Sequence, residues 1–343
     1  MDYVTLGSTG ITVNKNGFGA LPIQRISVEN AVRLVRRAYD AGMRFFDTSR
    51  QYTDSEMKLG IAFENIPRDS YYIATKTAAK TGDQLREDLA TTLQLLKTDY
   101  VDVYQFHNIP FCPLPGDGTG LYEAMLEAKQ SGKVRHIGIT NHRLHVAHKA
   151  IDSGLYETLQ FPFSYVSGAQ ELELVEKCRQ HNMGFIAMKG LCGGLLDNFR
   201  ACYAFEAQYD NVLPIWGIQR EAELDQWISC IDNPPEMTPE LEEIIRKDRV
   251  ELSGDFCRSC GYCMPCSVGI DIKDCARMSQ LIRRSPSERF FSDEWKEKMR
   301  KINDCIDCGI CRSKCPYELN TPALLRKNLE DYENIISGKV SVN

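Results

Sequence analysis

Along the first 230 or so residues, short apolar runs alternate with longer stretches in which apolar positions recur every third or fourth residue. The short runs are NGFGA, ending at Ala20, RFFDTS (44–49), YYIATKT (71–77), YVDVYQFH (100–107), VRHIGITN (134–141), TLQFPF (158–163), GFIAMKG (184–190) and VLPIWGI (212–218). Their length and their β-branched and aromatic content predict strands. Helices are predicted between them. Ser27 is placed to cap a segment that carries Val28, Val32, Val35 and Tyr39 on one face and stops at Gly42. Leu85, Leu89, Leu93 and Leu96 make a second apolar stripe, and Leu121, Ala124, Met125 and Ala128 a third, ending before Gly132. Residues 2–13 predict a hairpin with Ser8, Thr9 and Gly10 at its turn.

Spacing turns this pattern into an architecture. The predicted strand ends, at 20, 47, 76, 107, 140, 160, 188 and 217, lie 20 to 33 residues apart. Eight such βα units predict a closed (β/α)8 TIM barrel, a fold of roughly 250 residues. An open doubly wound sheet is the competing arrangement, but no Gly-rich G-x-G-x-x-G loop follows the first strand. Past Pro234-Pro235 the pattern changes. Residues 238–252 read as a capped helix, and further helical segments are expected near 271–284, 292–303 and 322–337. The division expected is a barrel over 1–235 and a small α-rich domain over 236–343.

Composition narrows the classes. The 343 residues are 43% hydrophobic and 26% charged, with a net charge of −6, so a nucleic-acid binder built on a basic surface is disfavoured. No apolar run approaches the ~20 residues needed to cross a bilayer, and the N-terminus lacks a basic-then-apolar leader. A cytoplasmic protein with no nucleic-acid or membrane partner is expected.

Fourteen cysteines are the outlying feature. Eight fall in two motifs, Cys257-x2-Cys260-x2-Cys263-x2-Cys266 and Cys305-x2-Cys308-x2-Cys311-x3-Cys315-Pro316, with Gly261 and Gly309 after the second cysteine of each. A secreted disulfide scaffold is short and carries an export signal, so these thiols point to metal. Three thiolates two residues apart can hold three corners of a cuboidal iron–sulfur cluster, with the fourth ligand from the other copy, as in two-cluster ferredoxins. The expected ligand sets are Cys257, Cys260, Cys263 and Cys315 on one 4Fe-4S cluster and Cys305, Cys308, Cys311 and Cys266 on the other. Zinc, which prefers CxxC pairs separated by a longer loop, fits less well. The first copy has a shorter last spacing and Ser267 in place of proline, so Cys275 is an alternative to Cys266. Cys112, Cys178, Cys192, Cys202 and Cys230 read as buried apolar residues, with Cys192 set apart by its position after the seventh strand.

In such a barrel, chemistry gathers where the strands end. Asp47, Lys76 and His107 end the second, third and fourth strands, and Tyr52 lies on the loop above Asp47. Asp47 can hold Lys76 charged and in place, a nearby ammonium is expected to lower the phenol's pKa, and His107 can orient a carbonyl. His142, His145 and His148 read as a solvated helix face. Singly, Asp47 reads equally well as a helix cap, Lys76 as a surface charge and His107 as a satisfied core histidine.

Together, the YVTLGSTGITV hairpin and the FFDTSRQY, IATKT, YQFHN, IGITNH, LQFPF and MKGLCGGLL segments resemble the aldo-keto reductases, and with the cysteine tail the ferredoxin-containing branch of that superfamily. The resemblance implies catalytic roles for Asp47, Tyr52, Lys76 and His107. It also implies a nicotinamide cofactor, NAD(P)H, held by Asn141 and Gln160 and by the segment around Met188, Lys189, Gly217 and Arg220. Met188 stands where the family commonly stacks an aromatic, and Glu223 stands near its usual phosphate-binding arginine, which leaves NAD or NADP open. The activity expected is reduction of a small-molecule aldehyde or ketone with Tyr52 as general acid. Two other readings are weighed. In one, the clusters take single electrons from a ferredoxin or flavoprotein and pass them to a barrel-bound substrate. In the other, they are purely structural. The loops Phe111–Asp117 and Pro22–Arg25 are expected to shape the mouth.

Overall fold

The computed structural model of the chain describes residues 2–252, 254–284 and 288–341. It divides into two compact units, Met1–Gly190 with Phe199–Glu242, and Leu191–Asn198 with Glu243–Asn343.

The first unit is a closed barrel preceded by a hairpin. Strands β1 (Tyr3–Thr5) and β2 (Thr12–Asn14) pair antiparallel, with Val4 opposite Val13. The eight strands β3 (Gly17–Gly19), β4 (Phe45–Asp47), β5 (Tyr72–Thr77), β6 (Val101–His107), β7 (Val134–Thr140), β8 (Thr158–Pro162), β9 (Gly184–Met188) and β10 (Val212–Gly217) run parallel and close in chain order. All eight coincide with the apolar runs read from the sequence. Helices α1 (Val28–Asp40), α2 (Ser55–Ala62), α3 (Gly82–Leu96), α4 (Leu121–Gln130), α5 (Leu144–Ser153), α6 (Ala169–Gln180), α7 (Phe199–Ala207) and α8 (Glu221–Asp232) follow the eight strands. The apolar stripes read from the sequence correspond to α1, α3 and α4. Ser27 caps α1 by accepting from the Asn30 amide at 3.2 Å, as β-region serines do at helix starts.

One apolar cluster fills the end of the barrel where the strands begin. Val4, Leu6, Ile11 and Val13 of the hairpin pack with Phe45, Ala74, Val103, Ile186, Leu213 and Ile215. The hairpin is thus a plug. Gly184 is required there, since a Cβ on it would sit 2.9 Å from the Leu6 side chain and 3.0 Å from its backbone. The strand ends opposite the plug are left to carry polar side chains.

The second unit is helical. Helix α9 (Pro239–Glu251) contains the division between the units, and α10 (Ile272–Cys275), α11 (Met278–Arg284), α12 (Asp293–Arg300), α13 (Ile310–Ser313) and α14 (Thr321–Ile336) follow. Helix α14 packs on the other four of these, α10 to α13. Its Asn328 is buried and ties two turns together, donating to the Ala276 carbonyl at 3.2 Å and accepting from the Ser279 amide at 2.8 Å. Arg284 holds the Leu195 carbonyl at 2.9 Å and pairs with Asp248 and Glu251. Among the described residues no helix is long and apolar enough to cross a membrane.

Candidate active site and thiol cavities

Four side chains converge at the strand ends of the barrel. Asp47 ends β4, Lys76 lies one residue from the end of β5 and His107 ends β6. Lys76 Nζ donates to Asp47 Oδ2 at 2.5 Å and to the Thr48 carbonyl at 2.6 Å, and both side chains are buried. Tyr52 is half-buried on the loop after β4. Its ring centroid is 5.1 Å from Lys76 Nζ and 5.7 Å from the His107 ring, which it meets edge to face at 83°. Acid, cation, phenol and imidazole therefore form one constellation, from residues 60 positions apart in the chain.

Burial sets the protonation of this group. It raises the Asp47 carboxyl and lowers the Lys76 ammonium, and their mutual attraction draws each back toward its charged form. Burial, and then the Lys76 charge, push His107 down to about 3, so the ring is neutral near pH 7. The phenol departs from expectation. Burial, and then the Asp47 carboxylate, push the Tyr52 pKa above its ordinary value rather than below it. The ammonium that was expected to lower it is bonded to Asp47 and Thr48 and lies beside the ring face.

Three residues that sequence reasoning passed over support the constellation. Ser49 Oγ lies 2.8 Å from His107 Nδ1. Gln105 donates to Gln160 Oε1 at 2.9 Å and to Asp47 Oδ1 at 3.4 Å. Glu56, fully buried on α2, accepts from Thr75 at 2.8 Å and Thr92 at 2.9 Å and pairs with Arg50, which fixes the loop bearing Tyr52. The signal available in the sequence was the polar alternation within YQFH and the E following DTSRQY.

The cysteines of the second unit line two cavities. One, of about 370 Å³, is lined by Cys257, Cys260, Cys263 and Cys315 with Arg258 and Tyr317. The other, of about 420 Å³, is lined by Cys263, Cys266, Cys305, Cys308 and Cys311 among apolar residues. The trailing cysteine of each motif thus lines the cavity of the other, and Cys263 and Ile272 line both. Donor number and type fit a four-thiolate cluster at each. Cys275 lines neither cavity, and its thiol donates to the Lys298 carbonyl at 3.7 Å. Among the described residues, no set of three or more His, Cys, Asp or Glu groups is arranged to hold a single metal ion.

Residues 15–211 match the aldo/keto reductase family and residues 256–320 match a 4Fe-4S dicluster domain. The chain belongs to the aldo/keto reductase family. It is 34% identical over 209 residues to L-galactose dehydrogenase of Arabidopsis thaliana, covering 56% of this chain and 66% of that one. It is 35% identical over 148 residues to methylglyoxal reductase DkgB of Salmonella typhi, covering 41% and 52%. The chain therefore spans between about half and two thirds of the length of these curated relatives. In structure it resembles an aldo-keto reductase from Klebsiella pneumoniae in complex with NADPH, with a TM-score of 0.62, 20% identity and coverage of 72% and 94%.

In this aldo/keto reductase the residues expected to hold the nicotinamide end β7 to β10. Asn141 is buried, with Nδ2 on the Ile109 carbonyl at 2.8 Å and Oδ1 accepting from the amides of His142 and Arg143. Gln160 is buried against Gln105. Met188 is half-buried, with its sulfur 3.9 Å from Thr140 Oγ1. Lys189 takes a φ of +66° just after β9. Gly217 is exposed at the end of β10. Arg220 precedes α8 and pairs with Glu223, whose carboxylate also accepts from the amides of Gln219 at 2.9 Å and Arg220 at 3.1 Å. A carboxylate of the protein's own thus occupies the two amides just before that helix. His142 corrects an expectation. It is buried, because α5 starts only at Leu144 and His142 belongs to the turn before it. His145 is exposed and His148 half-buried, as a helix face allows.

Proposed function

We propose that the protein reduces the carbonyl of a small aldehyde or ketone with a nicotinamide cofactor, Tyr52 serving as general acid. The observation that carries this reading is the buried Asp47–Lys76 pair set beside the Tyr52 and His107 rings at one end of the barrel. A bound nicotinamide supplies the hydride. Tyr52 keeps its proton at neutral pH and gives it to the carbonyl oxygen as that oxygen gains charge. Lys76, locked by Asp47, stabilises the phenolate left behind. In this reading the Ser49 hydroxyl, 2.8 Å from Nδ1, donates to it, so that the His107 ring proton sits on Nε2, the tautomer that can hydrogen-bond the same oxygen. Asn141, Gln160, Met188, Lys189, Gly217 and Arg220 frame the cofactor in this reading. The carboxylate of Glu223 repels a 2′-phosphate, which favours NADH over NADPH. The activities named for the relatives, a sugar dehydrogenase and a methylglyoxal reductase, support a small polar carbonyl. Tyr52→Phe is expected to lower kcat for such a substrate at least about 100-fold while NADH binding, followed by fluorescence, is unchanged. Reduction at the wild-type rate would falsify the assignment.

The thiol cavities favour a second component of this reading. The second unit holds two 4Fe-4S clusters, one on Cys257, Cys260, Cys263 and Cys315, the other on Cys305, Cys308, Cys311 and Cys266. Such clusters pass single electrons, so a ferredoxin or flavoprotein is the class of donor they fit. Anaerobically purified protein is expected to carry about eight irons and eight sulfides per chain. Stoichiometric zinc in their place would remove this component.

A further inference from the structure

Arg277 is an unusual residue of the second unit. It is only 7% exposed. Its Nη1 donates to the Cys192 carbonyl at 3.4 Å and its Nη2 to the Gly193 carbonyl at 2.9 Å, while Nε is buried without a partner. Among the described residues it has no ion-pair partner. Asp274 acts on it from a distance and reaches only Lys273, at 4.0 Å, and Arg289 opposes it with like charge. A guanidinium does not shed its charge in a protein, and a buried charge without a counter-charge is costly. Its guanidinium lies next to Ser259: a Cβ built on Gly193 would stand 2.8 Å from Arg277 Nη1 and 3.4 Å from the Ser259 Cβ. Ser259 in turn donates its backbone N–H to Cys257 Sγ at 3.4 Å, which ties the arginine's surroundings to that thiol.

The two cavities differ in this respect. The first is lined by Arg258, whose guanidinium lies 4.8 Å from the Phe256 ring and 4.6 Å from the Tyr317 ring, and by Ala276, the chain neighbour of Arg277. The lining of the second contains no charged residue. Its rim is also open, with Cys308, Ile306 and Ile310 exposed. A cation near a cluster favours the more negative, reduced state, and does so more strongly where water is excluded.

We propose that Arg277 is the buried counter-ion of the cluster held by Cys257, Cys260, Cys263 and Cys315, and that it makes this cluster the better electron acceptor of the two. The inference rests on the reading of the unit as a two-cluster module. The step is a one-electron transfer: an external one-electron reductant loses an electron, one cluster core gains it, and no bond forms or breaks. An electron entering at the open site comes to rest at the site beside Arg277.

The test is a dithionite titration of the anaerobically purified full-length protein with redox mediators, followed by electron paramagnetic resonance and visible absorbance. The wild-type protein is expected to show two resolved midpoint potentials. Arg277→Gln is expected to lower the higher one and leave the lower in place, and Arg277→Lys to lower it by less. A single midpoint in the wild type, movement of the lower potential, equal movement of both, or movement of neither overturns the proposal. If Arg277→Gln assembles no clusters, Arg277→Lys decides, and an unchanged higher potential there overturns it. Iron and sulfide analysis separates the two levels. A wild-type chain without clusters sinks the cluster reading itself, whereas intact clusters with unmoved potentials sink only the role of Arg277.

Discussion

His107 and Tyr52 meet edge to face at 5.7 Å, and burial keeps the first unprotonated and the second protonated through the neutral range. For His107 the folded-state pKa, about 3, lies below its ordinary 6.5. The ring therefore adds no inflection to the rate between roughly pH 5 and 9. Unfolded chains gain a proton that the folded ones refuse, so stability falls as pH drops from about 6.5 toward 3. Ser49→Ala is expected to remove about 1 kcal/mol of preference for the Nε2–H tautomer, or about fivefold in kcat. Steady-state kinetics beside 15N spectra of the imidazole would check both parts. At the far end of the cofactor, Glu223→Gln leaves a neutral cap on α8 and releases Arg220. The ratio of kcat/KM for NADPH to that for NADH is expected to rise about tenfold, from roughly one charge-assisted hydrogen bond gained. At this scale the sequence showed which residues meet but not what surrounds them. It could place a lysine near Tyr52, yet not reveal that Asp47 and Thr48 take up its ammonium. It could space His142, His145 and His148 as a stripe, yet not say that the helix begins only at Leu144.

The hairpin β1–β2 closes the barrel from the end opposite the candidate site, and Leu6 is fully buried in that plug. Leu6→Ala is expected to cost about 2–5 kcal/mol through lost burial and a residual cavity. Denaturant titration should show the loss while KM for substrate stays put, since the plug lies at the strand starts. Elements were the most legible scale. All eight barrel strands coincide with apolar runs because each is covered on both faces and so tolerates little polarity. Helix α3 shows the limit. Leu85, Leu89 and Leu96 are buried as the stripe predicts, but Leu93 is only half-buried and Thr92 is buried, with its hydroxyl on Glu56. A polar residue buried for its hydrogen bond leaves no trace in a hydrophobic pattern. The four-residue α13, inside the second cysteine motif, is likewise too short to carry a period.

For the molecule as a whole, the contrast is between a barrel with a large apolar core and a helical unit whose cysteines line cavities rather than pack on one another. Metal–thiolate bonds can supply much of a small unit's folding energy. Removal of iron by an anaerobic chelator is therefore expected to abolish the lower of two calorimetric transitions while the barrel's transition persists. A single transition unaffected by iron loss would contradict this. The sequence places Leu191–Asn198 on the loop after the seventh strand, within the barrel expected over 1–235, because adjacency in the chain gives no hint of the arginines that hold it. Its carbonyls at Cys192, Gly193 and Leu195 are bound by Arg277 and Arg284, 84 to 89 positions later. The polypeptide thus passes between the two units three times, so cutting it in α9 severs one of three covalent links and frees nothing. A gene shortened at that helix would encode a barrel whose Leu191–Asn198 loop has lost every one of these donors. The helical unit is thus a poor candidate for a detachable module in shuffling or truncation, and its ancestry and that of the loop are bound to travel together.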